Sequence, residues 1–144
     1  MREVKLTVTT RQSDPERKQT SLLEETYTAV YSSLGGRHEF RYTETEPESG
    51  AVTQTVLRAA DTGIEIERRG NIRALIRLVP GEDTCCSYET PYGTIPMTFR
   101  TGKIRMMEGH SGEGTAWTAR AFYSILQGDN ETVLCALTLH AEFI

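Results

Sequence analysis

Residues 133–143 read VLCALTLHAEF and carry an apolar side chain at every second position. This alternation is typical of a β-strand that buries one of its two faces. The same rhythm, in runs rich in Val, Ile, Thr, Tyr and Phe, recurs at 4–9, 38–43, 64–67, 72–78 and 95–99. Those residue types favour a pleated, half-buried surface. The sequence therefore predicts an all-β chain.

Turn residues separate the alternating segments, at Gly35-Gly36, Asp61-Thr62-Gly63, Gly70-Asn71, Pro80-Gly81-Glu82-Asp83 and Gly128-Asp129-Asn130. Glycine, asparagine and aspartate tolerate the backbone geometry of tight hairpins. Short connections make consecutive strands antiparallel neighbours. Eight to ten strands with one buried face must close on themselves or stack as two sheets. We therefore expect one antiparallel barrel or sandwich domain spanning residues 1–144.

Three segments fit this rhythm less clearly. The stretch Thr115–Gln127 has both a helical stripe and an alternating face, and the surrounding hairpins favour a strand. The stretch Arg11–Thr20 is polar and predicts a long loop, with at most one helical turn near Ser13-Asp14-Pro15. The glycine-rich stretch Gly109–Gly114 predicts a loop between two strands, since it lacks the spacing and the helix of a nucleophile elbow or phosphate loop.

Charge and composition narrow the function classes. The net charge of −4 gives no support to nucleic-acid binding, which usually leaves a basic excess. No apolar run reaches membrane-spanning length, and the N-terminus lacks the features of a signal peptide, so we expect a cytoplasmic protein without a membrane partner. Three cysteines without an export signal predict reduced thiols. The histidines His38, His110 and His140 have no metal-ligand spacing. We predict no catalytic motif, metal or cofactor.

Two charged residues share the parity of apolar neighbours. Arg68 follows Ile64 and Ile66 on the inner face, and Glu44 follows Tyr42. Buried charges must be paired. The pattern predicts either a structural Glu44–Arg68 ion pair, which lies inside the barrel or at its rim, or an anchor for a polar ligand.

The stretch Cys86–Ile95, CSYETPYGTI, is the most distinctive in the chain. Tyr88 and Thr90 lie on one face of a strand, Pro91 ends the ladder and Gly93 permits a bend. One interpretation is an aromatic-braced hairpin corner. The other is a cluster of hydroxyl groups, including that of Tyr92, at the mouth of a barrel.

At this point the sequence resembles a known family. Tyr88-x-Thr90-Pro91-Tyr92-Gly93, Tyr42-x-Glu44, Arg68-x-Gly70 and the last two strands through Tyr123 and Gly128 are similar to motifs of the YwiB-like family. Those are small bacterial proteins classed as a domain of unknown function. The resemblance implies an up-and-down barrel of eight to ten strands, calycin- or lipocalin-like, and no reaction. Calycin barrels often bind small molecules, although fold does not imply function.

Three functions remain open. The first is binding of a small amphipathic or anionic molecule, oriented by Tyr42, Glu44, Arg68, Tyr88, Thr90 and Tyr92. The lining of that site is predicted to be Phe40, Ile66, Met97 and Phe99, and a lumen filled solidly by Phe, Met and Trp117 would argue against it. The second is an interaction or homodimer module that uses the outward apolar residues Leu75, Val79, Leu134, Ala136 and Ile144. The third is an enzyme, for which no nucleophile–base pair is visible.

Overall fold

The structure is a computed structural model that describes residues 2–111, 114–127 and 130–143. It is all-β, as predicted. The strands are β1 (Arg2–Asp14), β2 (Gln19–Leu34), β3 (Arg37–Thr45), β4 (Val52–Ala60), β5 (Gly63–Gly70), β6 (Ala74–Leu78), β7 (Asp83–Thr90), β8 (Gly93–Ser111), β9 (Gly114–Gln127) and β10 (Asn130–Phe143). The described part of the chain contains no helix that is long and apolar enough to span a membrane.

The ten strands form one antiparallel sheet in the order β6-β5-β4-β3-β2-β1-β10-β9-β8-β7. Strand β10 returns to pair with β1, from Val4↔Phe143 onwards, and so curls the sheet. The two edge strands, β6 and β7, meet through a backbone bridge in which Arg73 and Glu89 exchange hydrogen bonds of 3.0 and 2.9 Å. The prediction of an up-and-down barrel of eight to ten strands is therefore confirmed, in a nearly closed form.

Alternation along each strand directs one set of side chains to the interior. The largest side chains buried there are Trp117, Phe40, Leu6, Leu57, Ile64, Leu78, Leu139 and Val4. Strand β9 confirms the strand interpretation of Thr115–Gln127, because Trp117, Ala119 and Ala121 are buried at alternate positions. Small residues at two of these positions leave room for the rings on the facing strands.

The prediction of a long loop over Arg11–Thr20 was wrong. Strand β1 continues to Asp14 and β2 begins at Gln19, so only four residues connect them. The Asp14 carboxylate accepts hydrogen bonds from the backbone amides of Glu16 and Arg17, at 3.1 and 3.2 Å, and so stabilises the turn. This hairpin has no deeply buried face, and its strands therefore lack the apolar alternation that reveals the others.

The predicted loop at Gly109–Gly114 was also too long. Strand β8 continues to Ser111 and β9 begins at Gly114, with Gly109 paired with Ala116. Residues 112 and 113 lie outside the described residues, as do residues 128 and 129 of the predicted turn before β10.

The barrel wall is incomplete between β2 and β3. Their pairing runs only from Leu34↔Arg37 to Val30↔Arg41. Beyond this point residues 19–29 of β2 pair with β1 alone, while β3 continues beside β4. The structure describes all of this part of the chain, and in it the two strands separate without further backbone pairing.

Gly70 fixes the end of β5, two residues after Arg68. Its φ is +142°, and a Cβ atom there would lie 2.5 Å from the Val52 carbonyl oxygen and 2.9 Å from the Thr53 Cα. We expect a G70A variant to lose about 2–4 kcal/mol of unfolding free energy, since neither backbone atom yields easily. Urea unfolding followed by circular dichroism measures this loss.

The matched control is G102A. A Cβ atom at Gly102 would have its nearest contact, the Phe122 carbonyl oxygen, at 3.5 Å, which is an ordinary distance. We expect the unfolding free energy of G102A to change by less than about 1 kcal/mol. Equal losses in the two variants would contradict the geometry described for Gly70.

Candidate functional site

A cavity of about 250 Å³ lies inside the barrel where β2 and β3 separate. It is lined by residues of six strands and of the β5–β6 connection: Val8, Thr10, Leu23, Glu25, Tyr27, Tyr42, Glu44, Thr53, Arg68, Ile72 and Tyr88. Along β1 the interior changes from packed to open, because Val4 and Leu6 are fully buried whereas Val8 and Thr10 are half-buried. The cavity is therefore an open part of the barrel interior.

Glu44 and Arg68 form an ion pair in this cavity. The Arg68 Nε donates to Glu44 Oε1 at 3.1 Å, and the Thr55 hydroxyl donates to the same oxygen at 2.6 Å. The exposed fractions of the two charged side chains are 21% for Arg68 and 27% for Glu44. Burial lowers the pKa of Arg68, because it disfavours the charged guanidinium. The nearby Glu44 and then Tyr88 raise that pKa by more than burial lowers it, so the net effect is a raised pKa. Arg68 therefore stays cationic inside the barrel.

The guanidinium of Arg68 is only partly used by this pair. Its Nε is bonded to Glu44, whereas neither Nη group has a hydrogen-bond partner among the residues that the structure describes. A guanidinium presents five donors in a rigid plane. Two amino groups of Arg68 thus remain available beside the cavity.

Aromatic rings form much of the remaining wall. Tyr27 of β2 and Tyr42 of β3 stack across the separation between their strands, with ring centroids 4.5 Å apart. The Tyr27 hydroxyl donates a hydrogen bond to the Glu25 carboxylate. Burial raises the pKa of both phenols, and the carboxylates Glu25 and Glu44 raise it further. Both tyrosines are therefore neutral, hydrogen-bonding groups at physiological pH.

The raised phenol pKa values make a prediction at alkaline pH. Tyr27, Tyr42 and Tyr123 all have raised pKa values, Tyr123 through burial and its contact with Cys135. An unfolded chain ionises its tyrosines near about pH 10. Stability is therefore retained below that pH and lost as the pH rises above it. At about pH 11, we expect tyrosinate absorbance of the native protein to fall short of the unfolded chain's by three tyrosines, and equal absorbance would contradict this.

Four of the six predicted site residues, Tyr42, Glu44, Arg68 and Tyr88, line the cavity. The other two do not. The Thr90 hydroxyl donates to the Gly93 carbonyl at 2.9 Å and accepts from the Tyr92 amide at 3.1 Å, so it braces the β7–β8 turn. The Tyr92 side chain is 97% exposed at the tip of that turn. The cluster at the barrel mouth is therefore smaller than predicted, because the tip of the β7–β8 hairpin, which carries Thr90 and Tyr92, lies outside the cavity.

The predicted apolar lining was wrong. Phe40, Ile66 and Phe99 are buried in the packed core and Met97 packs against it, and none of the four lines the cavity. Phe40 instead packs against Trp117, with ring centroids 5.2 Å apart. The interior is thus divided into a solid aromatic part and an open polar part.

The outward apolar residues predicted as one patch do not form one. Leu75 and Leu134 are 40% and 43% exposed, but they belong to β6 and β10, which β7, β8 and β9 separate. Val79 and Ala136 are half-buried, and Ile144 lies outside the described residues.

Sequence reasoning missed Glu25 and Tyr27. Both belong to the segment SLLEETYT of β2, in which the adjacent Leu22 and Leu23 break the apolar alternation. Tyr27 does share the parity of buried Ala29. This alternation was the signal in the sequence that could have placed Tyr27 inside the barrel. Glu25 lies two residues before Tyr27, so the same alternation places it on the same face of β2.

Comparison with known proteins agrees with this fold. A family model described as a domain of unknown function, DUF1934, matches residues 6–139. The chain belongs to the DUF1934 family. The crystal structure of the ywiB protein from Bacillus subtilis superimposes with a TM-score of 0.81 at 18% identity, over 99% of this chain and 92% of that one. A search of curated proteins gives no match.

The family assignment confirms the resemblance seen in the sequence. Within the DUF1934 chain described here, Tyr42-x-Glu44 lies in β3 and Arg68-x-Gly70 ends β5. Two of the motifs that carried the resemblance therefore supply three of the residues that line the cavity. The similarity to the ywiB protein concerns the fold alone.

Proposed function

We propose that this protein binds a small amphipathic organic acid in the cavity between β2 and β3. The observation that carries the proposal is the partly used guanidinium of Arg68, whose two Nη groups have no partner among the described residues. An arginine fork matches a carboxylate or phosphate group in geometry and charge. The acid group of the ligand would take the donors that Glu44 leaves.

The walls of the cavity favour an apolar body on the same ligand. Val8, Leu23 and Ile72 line it together with the stacked Tyr27–Tyr42 pair. Ligand sites are usually mostly apolar, with a few polar groups that set orientation, and span about 300–1,000 Å³. A cavity of about 250 Å³ suits a compact molecule with a single ring or a short chain.

The residues that line the cavity favour binding without catalysis. The described residues around the cavity include no serine, cysteine, histidine or lysine. Tyr27 and Tyr42 have raised pKa values and do not ionise readily. A serine, cysteine or lysine nucleophile with an adjacent histidine base is thus missing from this set.

The test is calorimetric titration with 3-phenylpropionate and octanoate, each compared with its neutral amide. We expect each acid to bind with a stoichiometry of one, and its amide at least about tenfold more weakly, since the neutral amide cannot form an ion pair with Arg68. Native mass spectrometry of gently purified protein would show a co-purifying acid. The proposal fails if no acid binds more tightly than its amide.

A further inference from the structure

We infer that the ligand carries an amino group as well as its acid group, as an α-amino acid does, and that Glu25 binds the ammonium. This inference rests on the proposed function, because it places the acid group on Arg68. It adds a chemical class of ligand and a second charged contact.

The cavity holds more negative than positive charge. Three ionisable side chains other than tyrosines line it, namely Glu25, Glu44 and Arg68. Glu44 has Arg68 as its ion-pair partner at 3.1 Å. Glu25 has no cationic partner within 4.0 Å among the residues that the structure describes, and its contact there is the neutral hydroxyl of Tyr27. The charge of Glu25 is thus left uncompensated by the protein.

An uncompensated carboxylate disfavours a simple anion. A monoanionic ligand on Arg68 would share one small cavity with two carboxylates, and like charges at short range repel. A zwitterion places its negative group against Arg68 and its positive group against Glu25, so both attractions are gained. The net charge of the occupied cavity then stays the same as that of the empty one.

The charged residues of the cavity belong to strands on the two sides of the separation between β2 and β3. Glu25 and Tyr27 lie on the inward face of β2, whereas Glu44 and Arg68 belong to β3 and β5 across the separation. Glu25 and Glu44 both line the cavity, so the two carboxylates border the same space. The Tyr27 and Tyr42 rings line the same cavity, and the face of an aromatic ring attracts an ammonium group.

Three matched probes test the inference by calorimetry: phenylalanine, 3-phenylpropionate and phenethylamine carry both charged groups, the acid alone and the amine alone. We expect phenylalanine to bind at least about tenfold more tightly than either of the others. E25Q is expected to reduce the affinity for phenylalanine to that for 3-phenylpropionate, without weakening the latter. The control E24Q changes the adjacent carboxylate on the other face of β2 and should leave all three affinities unchanged.

The two proposals fail in different ways. If 3-phenylpropionate binds wild-type protein as tightly as phenylalanine, or if E25Q weakens both equally, the amine contact is overturned while acid binding stands. If an R68Q variant binds 3-phenylpropionate as tightly as wild type, the proposed function fails as well. Circular dichroism confirms that each variant is folded before its titration is interpreted.

Discussion

An R68Q variant is expected to bind 3-phenylpropionate at least about tenfold more weakly than the wild-type protein. The reason is that Arg68 is the only cation among the described residues that line the cavity. Hydrogen bonds to a charged group contribute about 1.5–3 kcal/mol. Their removal corresponds to a loss of about ten- to a hundredfold in affinity. Isothermal titration calorimetry of R68Q and of the wild-type protein, in the same buffer and salt, measures this loss of affinity for 3-phenylpropionate.

Two further variants separate binding from folding. R68Q leaves Glu44 without its cation, which destabilises the barrel by itself. The double variant E44Q/R68Q removes both charges, so we expect it to fold more stably than R68Q and still fail to bind. E44Q alone should bind the acid several-fold more tightly, since it removes a competing carboxylate and keeps the donors of Arg68.

The control for nonspecific charge loss is R105Q. Arg105 is exposed on β8, on the face opposite the inward-packed Ile104 and Met106. R105Q should bind 3-phenylpropionate as wild type does. If R105Q weakens binding as much as R68Q, the acid is attracted by the overall charge of the protein, and the assignment to Arg68 is contradicted.

A W117A variant is expected to lose about 3–5 kcal/mol of unfolding free energy. Trp117 is 1% exposed, and its ring packs against Phe40 and His38 at centroid distances of 5.2 and 4.9 Å. Its removal leaves the largest void that a single substitution makes in this core. Because Trp117 is also the chain's single tryptophan, urea unfolding is followed by far-ultraviolet circular dichroism.

The matched variant is W117F. The Trp117 Nε1 is buried and has no hydrogen-bond partner among the described residues, so its loss removes no favourable bond. W117F keeps a ring against Phe40 and should lose less than half as much stability as W117A. A loss in W117F equal to that in W117A would mean that the indole nitrogen has a partner, contrary to the packing described.

The sequence predicted the barrel wherever one face of a strand is buried. Alternation at Val4–Val8 and Val133–Phe143 is the direct consequence of that burial, and those segments pair as β1 and β10. The same logic placed Arg68 and Glu44 inside, because parity holds across a strand whatever the residue type. The meeting of the two side chains at 3.1 Å agrees with the structural alternative and also leaves donors for a ligand.

Features that depend on how strands diverge were not predictable from parity. The β1–β2 hairpin extends beyond the tightly packed core, and its polar residues therefore suggested a loop. Thr90 shares the parity of Tyr88, but the turn at Pro91 removes it from the cavity. Glu25 enters the site because the part of β2 before Val30 is not paired with β3, and no local pattern signals that separation.

We expect the cavity beside Arg68 to bind the acid group of a small amphipathic molecule. The most direct measurement is nuclear magnetic resonance of ¹⁵N-labelled protein titrated with 3-phenylpropionate. We expect the Nε–Hε signal of Arg68 and the backbone amides of Tyr27, Tyr42 and Tyr88 to shift together and saturate. Saturable shifts confined to the outer face of the barrel, with the Arg68 side-chain signal unchanged, would contradict the claim.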